Sequence, residues 1–162
     1  MAHSAIFRII PVTAQVPDVT IQQEMEGWDS FPYPIDYVTD YPDEELWDNI
    51  QWLFANFPGG LEGDTSWSYN HINKTIQFSA RFKELYFASK VDEIKDIVSQ
   101  DDFQTRISTS SIEAFKLKEL INDEFAFKVM DEYGGLETLD HFVRDLDPEK
   151  VYKIVQVADY HM

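Results

Sequence analysis

Residues 4–12 read SAIFRIIPV, and this stretch decides the fold class. It is rich in β-branched and aromatic residues and is closed by Pro11, a composition typical of a β-strand. Residues 149–160, EKVYKIVQVADY, have the same character and predict a closing strand. Several runs with helical spacing lie between these two stretches, so the sequence predicts an α+β protein.

The remaining patterns predict helices and further strands along the chain. The predicted helices cover residues 43–57, 84–99, 110–133 and 136–146. The further strands cover residues 66–72, 75–82 and 103–109, with a weaker extended piece at 19–25. This order is compatible with a ferredoxin-like β-α-β-β-α-β core followed by a C-terminal α-α-β extension. We therefore expect one acidic domain, residues 1–162, with an antiparallel or mixed sheet and helices mainly on one face.

Local patterns make some of these predictions more specific. Alternation in residues 66–72 places Trp67, Tyr69 and His71 on one face of a strand, and the Asn in the following turn at 73–74 suits a positive φ. Residues 26–42 contain three prolines and several aromatic rings, which predicts an ordered loop. In the helix at 84–99, the spacing predicts a buried stripe of Phe87, Val91, Ile94 and Val98.

Composition excludes several classes of protein. The chain has 162 residues and no cysteine, which rules out disulfides, thiolate catalysis and zinc sites that need sulfur. No apolar run approaches the roughly 18 residues of a membrane span, and the N-terminus lacks the pattern of a secretory signal. The expectation is a soluble cytoplasmic protein.

The charge is large and unevenly distributed. The formal net charge is −17, and no Lys or Arg occurs between Arg8 and Lys74, a gap of 65 residues that holds twelve acids. The first 73 residues therefore carry 1 − 12 = −11 of the total. A field of one sign repels nucleic acid and anionic membranes and attracts basic protein surfaces. We expect no direct nucleic-acid or membrane partner.

A search for catalytic patterns finds none. The sequence lacks the glycine-rich phosphate loops, the GxSxG nucleophile motif, the HExxH zinc motif and an EF-hand loop. The four histidines are best explained by structural or surface roles. We therefore expect no catalytic residues, no cofactor and no metal, which indicates a binding protein rather than an enzyme.

A helical wheel separates two roles within residues 43–57. With 100° per residue, Leu46, Ile50, Leu53 and Phe57 form a buried stripe. Trp52 lies about 240° from Leu46 on that wheel, on the polar side with Glu45 and Asp48. Either Trp52 is covered by the loop at 26–42, or it is an exposed anchor ringed by carboxylates.

The second interpretation defines a candidate partner-binding surface. Tryptophan and tyrosine are enriched among the residues that dominate binding energy, and carboxylates steer a basic partner onto them. Asp40 is also a candidate N-cap for the helix at 43–57. The predicted partner-binding residues are Asp36, Asp40, Glu44, Glu45, Asp48, Trp52, Tyr33, Tyr37 and Tyr41.

These features favour a small acidic inhibitor that occupies a basic surface of a partner, such as a nucleic-acid-handling protein. In composition the chain resembles the small acidic anti-restriction and anti-CRISPR inhibitors of phages and mobile elements. One alternative is an immunity protein that neutralises a basic toxin. Another is an enzyme or small-ligand binder with an aromatic and acidic pocket near residues 28–41. A third alternative is a structural or accessory subunit.

Overall fold

Two long antiparallel strands form the middle of the sheet. They are β1 (His3–Pro11) and β7 (Val151–His161), in agreement with the two strands predicted from the ends of the chain. The computed structural model describes residues 3–28, 35–108, 112–122 and 127–161. The other strands are β2 (Tyr37–Asp40), β3 (Trp67–Asn70), β4 (Thr75–Phe78), β5 (Lys128–Met130) and β6 (Leu136–Thr138). The helices are α1 (Ile21–Glu26), α2 (Leu46–Phe54), α3 (Phe82–Val98), α4 (Phe103–Ser108), α5 (Ile112–Asn122) and α6 (Leu139–Asp145).

The sheet has seven strands and is mixed. Its order is β3-β4-β7-β1-β5-β6, with β1 and β5 parallel, while β2 pairs with β7 outside this path. One edge of β7 is shared between two partners, because β4 pairs with Val151–Lys153 and β2 pairs with Ala158–His161. The predicted α+β class is therefore confirmed.

Strand alternation divides the apolar residues of the sheet between two cores. On one face, Phe7 and Ile9 of β1 belong to a large core to which α2, α3 and α6 contribute. On the other face, Ile6 of β1 and Tyr160 of β7 pack with α1 in a smaller core. The helices thus lie mainly on one face, as the sequence predicts.

The ferredoxin-like arrangement is wrong, because the strand predicted at 103–109, its last element, is helical; the weaker extended piece predicted at 19–25 is helical as well. Thr20 and Gln23 form a capping box, with the Thr20 hydroxyl accepting from the Gln23 N–H at 3.2 Å, and this starts α1 in the stretch predicted as extended at 19–25. Residues 103–108 of the strand predicted at 103–109 form α4, which follows two acids that favour a helix N-terminus and packs on α5. Residue 109 lies outside the described residues.

The long helix predicted at 110–133 is also wrong in its second half. Helix α5 is described over Ile112–Asn122, and from Lys128 onwards the chain forms β5 and β6, which are an antiparallel pair. Residues 110, 111 and 123–126 of the predicted helix lie outside the described residues. Gly134, with a φ of 82°, lies in the turn between them instead of ending a helix. Residues 136–138 of the predicted helix at 136–146 form β6, and α6 begins only at Leu139.

The buried face of α3 differs from the predicted stripe. Phe82, Tyr86 and Ile97 are buried and Phe87 of the predicted stripe packs partly against the large core, whereas Val91 and Val98 are exposed. The reason is that the helix begins at Phe82, whose ring lies 4.6 Å from that of Phe78 and 5.0 Å from that of Phe57. This aromatic contact sets the rotation of the helix.

In the β3–β4 turn, the positive φ belongs to Lys74 (53°) and not to the preceding Asn.

Arg8 of β1 is completely buried, although it is the one Lys or Arg residue of the first 73. Its Nη1 donates to the Val19 carbonyl at 2.6 Å and to Oε1 of Gln156 at 2.7 Å. Its Nη2 lies 3.0 Å from the sulfur of Met130 and 3.7 Å from a carboxylate oxygen of Glu24. The guanidinium therefore connects β1, β5, β7, α1 and the segment before α1.

The electrostatic surroundings of Arg8 compensate part of the cost of burying it. Burial is the largest influence on the pKa of Arg8 and lowers it. Three carboxylates act in the opposite direction: Glu24, Asp40 and Asp131. Gly134 permits the close approach of Glu24, because a Cβ there would lie 2.6 Å from its Oε1. The one Lys or Arg of the first 73 residues is thus buried inside the protein.

We expect Arg8→Ala to lower the free energy of unfolding by about 3–5 kcal/mol, because it leaves buried acceptors and Glu24 without their partner. Urea unfolding followed by circular dichroism measures this loss. Arg81→Ala is the control, since Arg81 is exposed and its removal is expected to change stability by less than about 0.5 kcal/mol. Equal losses in the two variants would contradict a structural role for Arg8.

Candidate functional site

Helix α2 carries the predicted stripe and exposes the residues opposite to it. A 3₁₀ turn, Asp43–Glu45, leads into α2, and its three acids lie where the helix dipole favours negative charge. Leu46, Ile50, Leu53 and Phe57 are all buried in the large core, so the predicted stripe is confirmed. The predicted cap is wrong: the Asp40 carboxylate instead accepts from the Gln22 N–H in the first turn of α1, at 3.2 Å.

The predicted loop at 26–42 contains strand β2. Tyr37–Asp40 pairs with β7, and strand alternation sends Val38 into the smaller core while Tyr37 lies on the opposite face. The Tyr37 ring stacks on His161 at a centroid distance of 4.9 Å and remains 45% exposed. The sheet thus places a half-exposed tyrosine on the same side as α2.

Trp52 is 48% exposed, on the side of α2 that the helical wheel predicts. Tyr41 contacts it edge-on, with ring centroids 6.2 Å apart, and Tyr41 itself packs partly against the large core. The two interpretations of Trp52, coverage by the 26–42 segment and exposure to solvent, each describe part of the arrangement. Tyr41 of that segment contacts the indole, while about half of the Trp52 side chain stays exposed.

Two carboxylates influence the phenol of Tyr41. Burial is the largest influence raising the pKa of its phenol, followed by the negative charges of Asp159 and Glu45. Asp159 lies on β7 directly opposite Thr39 of β2. Sequence reasoning missed Asp159, because only strand pairing brings it to residues more than a hundred positions earlier. Its alternation in the closing strand would have placed it on one face, but not beside α2.

The structure brings part of the predicted site together, and we call this part the α2–β2 face. Asp48 belongs to it because it lies one helical turn from both Glu45 and Trp52. The α2–β2 face consists of Tyr37, Tyr41, Glu45, Asp48, Trp52 and Asp159.

Other predicted residues lie elsewhere. Asp36 is exposed and lines a depression of about 370 Å³ between α1 and β2, which Met25 and Tyr37 also line. Asp40 is turned towards α1, and Glu44 lines a separate groove beside Trp47. Tyr33 lies outside the described residues.

The surface formed by the first 73 residues carries acids, and its described part exposes no basic side chain. Because Arg8 is buried, residues 3–28 and 35–73 expose no Lys or Arg side chain. Their exposed acids are Asp18, Glu26, Asp36, Asp43, Glu44, Glu45, Asp48, Glu62 and Asp64. The gap in the sequence is therefore a property of the folded surface as well.

Metal binding and membrane crossing find no support in the described ranges. Within them, no three His, Asp or Glu side chains converge to hold a metal ion. The helices of the described part of the chain are too short or too polar to cross a membrane. Comparison with protein-family models, with curated proteins and with solved structures gives no match.

We expect Asp159→Asn to lower the pKa of Tyr41 towards the ordinary tyrosine value, because it removes a negative charge that disfavours the phenolate. Titration of ¹³Cζ-labelled tyrosine by NMR measures the change. Asp92→Asn on α3 is the control, since Asp92 is not among the groups that influence Tyr41. No change in the Asp159 variant would show that the two groups are not neighbours.

The raised pKa of Tyr41 also determines the direction in which folding stability changes with pH. Folding raises the pKa of the Tyr41 phenol, so the folded state favours the neutral phenol. The contribution of Tyr41 to folding stability is therefore complete below the unfolded pKa of about 10 and is lost as the pH rises through the pKa of the folded state. We expect Tyr41→Phe to reduce the loss of stability in alkaline solution.

Proposed function

We propose that the protein binds a basic surface of a partner protein through the α2–β2 face and blocks that surface. Two observations together carry the proposal. Trp52 and Tyr37 are half-exposed rings, and residues 3–28 and 35–73 expose no Lys or Arg side chain. Aromatic anchors supply binding energy, and a field of one sign raises the association rate with an oppositely charged partner.

The partner class follows from the chemistry of the surface. Proteins that handle nucleic acids carry basic surfaces that contact phosphates. Carboxylates presented by a rigid helix and sheet edge compete for those basic groups, and the same carboxylates repel nucleic acid itself. We infer an inhibitor that acts by occupying such a surface, in the manner of anti-restriction or anti-CRISPR inhibitors. The proposed function requires binding and no catalytic step.

An immunity protein that neutralises a basic toxin uses the same surface chemistry. The two proposals differ in the partner and therefore in gene neighbourhood, because an immunity gene lies beside the gene of its toxin. The α2–β2 face serves either partner, so the experiment on that face tests both proposals together.

The depression between α1 and β2 supports a second candidate, a small-ligand site. Its volume of about 370 Å³ falls within the roughly 300–1,000 Å³ of ligand pockets. Glu26 and Asp36 on its wall supply acids, which suits a small cation. Asp36 is exposed and lies outside the α2–β2 face, so calorimetric binding of a cationic metabolite that Asp36→Asn loses would support this candidate over the first.

We expect the triple variant Glu45→Gln, Asp48→Asn, Trp52→Ala to lose capture of the partner from native lysate. Loss of an exposed aromatic anchor costs about 2 kcal/mol or more, roughly 30-fold in Kd, and loss of the charges slows association. Capture by the unmodified protein is expected to fall as salt rises, because salt screens exposed charges.

A matched control removes the same kinds of group from other parts of the surface. Glu93→Gln, Asp96→Asn and Tyr133→Ala together delete two exposed charges and one exposed ring. This control is expected to capture the partner normally. Equal capture by both triple variants, or capture that does not weaken with salt, would contradict the proposal.

A further inference from the structure

A second exposed aromatic group lies on α2, outside the α2–β2 face. Trp47 is 40% exposed, and its position is about 140° around the helix from Trp52. Its ring stacks on Tyr69 of β3, with centroids 5.6 Å apart and planes at 16°. The ring of His71 lies 4.1 Å from it. We call Trp47, Tyr69 and His71 the Trp47 cluster.

The Trp47 cluster follows from the alternation of the β3–β4 hairpin. Trp67, Tyr69 and His71 share one face, as the sequence predicts, and this face meets α2. Trp67 is held in place because its Nε1 donates to the Pro58 carbonyl at 2.9 Å. The rings are thus fixed by two elements that both pack on the large core, rather than carried on a free loop.

Two surface grooves flank the Trp47 cluster. The first, of about 240 Å³, lies towards the 3₁₀ turn Gly60–Glu62 and is lined by Phe54, Leu61, Glu62, Gly63, Asp64 and Trp67 besides the cluster. The second, of about 220 Å³, is lined by Asp43, Glu44 and Lys74 besides the cluster. We call the first of these the Trp47–Trp67 groove.

Charge separates the two grooves. The Trp47–Trp67 groove has two acids and no Lys or Arg among its lining residues, whereas Lys74 contributes a positive charge to the other. Asp64 is held in position because its Oδ1 accepts from the Ser66 N–H at 2.6 Å. A positively charged ligand is therefore favoured in the Trp47–Trp67 groove.

Size narrows the ligand to a single side chain. A volume of about 240 Å³ is below the roughly 300–1,000 Å³ of sites for whole small molecules. Tryptophan is the best aromatic partner for a cation, and a planar guanidinium stacks on rings while its N–H groups meet carboxylates. We propose that the Trp47–Trp67 groove binds an arginine side chain of a partner protein. This proposal stands apart from the α2–β2 face and does not depend on it.

The test uses defined probes rather than an unidentified partner. N-acetyl-arginine amide is titrated into protein labelled with ¹⁵N-tryptophan, which reports each indole N–H separately by NMR. We expect saturable shifts of the Trp47 and Trp67 signals and no shift of Trp52. N-acetyl-citrulline amide has nearly the same shape without the charge and is expected to cause at most small shifts.

Variants connect the binding to named groups. We expect Trp47→Leu to weaken binding of the arginine probe about tenfold, because it removes the stacking ring. Glu62→Gln retains every ring and is expected to weaken binding severalfold, which keeps the test valid if Trp47→Leu fails to fold. Trp52→Leu is the matched control and is expected to bind the probe with unchanged affinity.

Several results would overturn the proposal. These are equal shifts with the citrulline probe, binding of a neutral sugar in place of arginine, shifts centred on Trp52, or no indole shift over the titration. None of these results affects the triple variant of the α2–β2 face, so failure here and failure of the proposed function are distinguishable.

Discussion

The burial of Arg8 in the sheet is the interaction on which the rest of the structure depends. One guanidinium binds the Val19 carbonyl, Gln156 of β7 and Met130 of β5, and it lies near Glu24 of α1. These contacts join elements that are far apart in sequence around the central strand β1. A buried charge of this kind is tolerated because hydrogen bonds and carboxylates compensate part of its desolvation.

The same interaction determines the character of the surface. Turning Arg8 inward removes the one Lys or Arg of the first 73 residues from contact with solvent, so the acids of that half are exposed without a described Lys or Arg between them. Self-repulsion among these acids opposes folding. The two apolar cores of the sheet offset that repulsion, since burial of apolar area is the dominant favourable contribution to folding. The acidic surface is therefore compatible with a stable domain.

Sequence reasoning succeeded where one element decides its own structure. The strands β1 and β7 are recognisable from composition, and the α2 stripe follows from helical spacing. It failed where a short capping motif or a contact between distant residues determines the secondary structure or the orientation of an element. The Thr20 capping box overrode an extended pattern, and Phe82 rotated α3 through its contacts with Phe57 and Phe78. These contacts join different elements, and local periodicity does not contain them.

The candidate site shows the same division. The helical wheel identified Trp52 as lying off the buried stripe, and its exposure agrees. Asp159 and the contact between Tyr41 and Trp52 depend on the pairing of β2 with β7, in a segment predicted to be a loop. Trp47 lies about 100° from Leu46 on the helical wheel, but its stacking on Tyr69 depends on the hairpin meeting α2.

The geometry of α2 constrains any partner that engages both exposed tryptophans. Trp47 and Trp52 are about 140° apart around the helix, and the remaining side is buried against the sheet. A flat partner surface reaches one ring or the other, because the helix between them is convex. A concave surface that encloses the helix reaches both. Clefts lined by one sign of charge focus the electrostatic field, so a basic cleft would also attract the acids along α2 most strongly. If both proposed surfaces act together, the partner is therefore expected to receive α2 in a cleft.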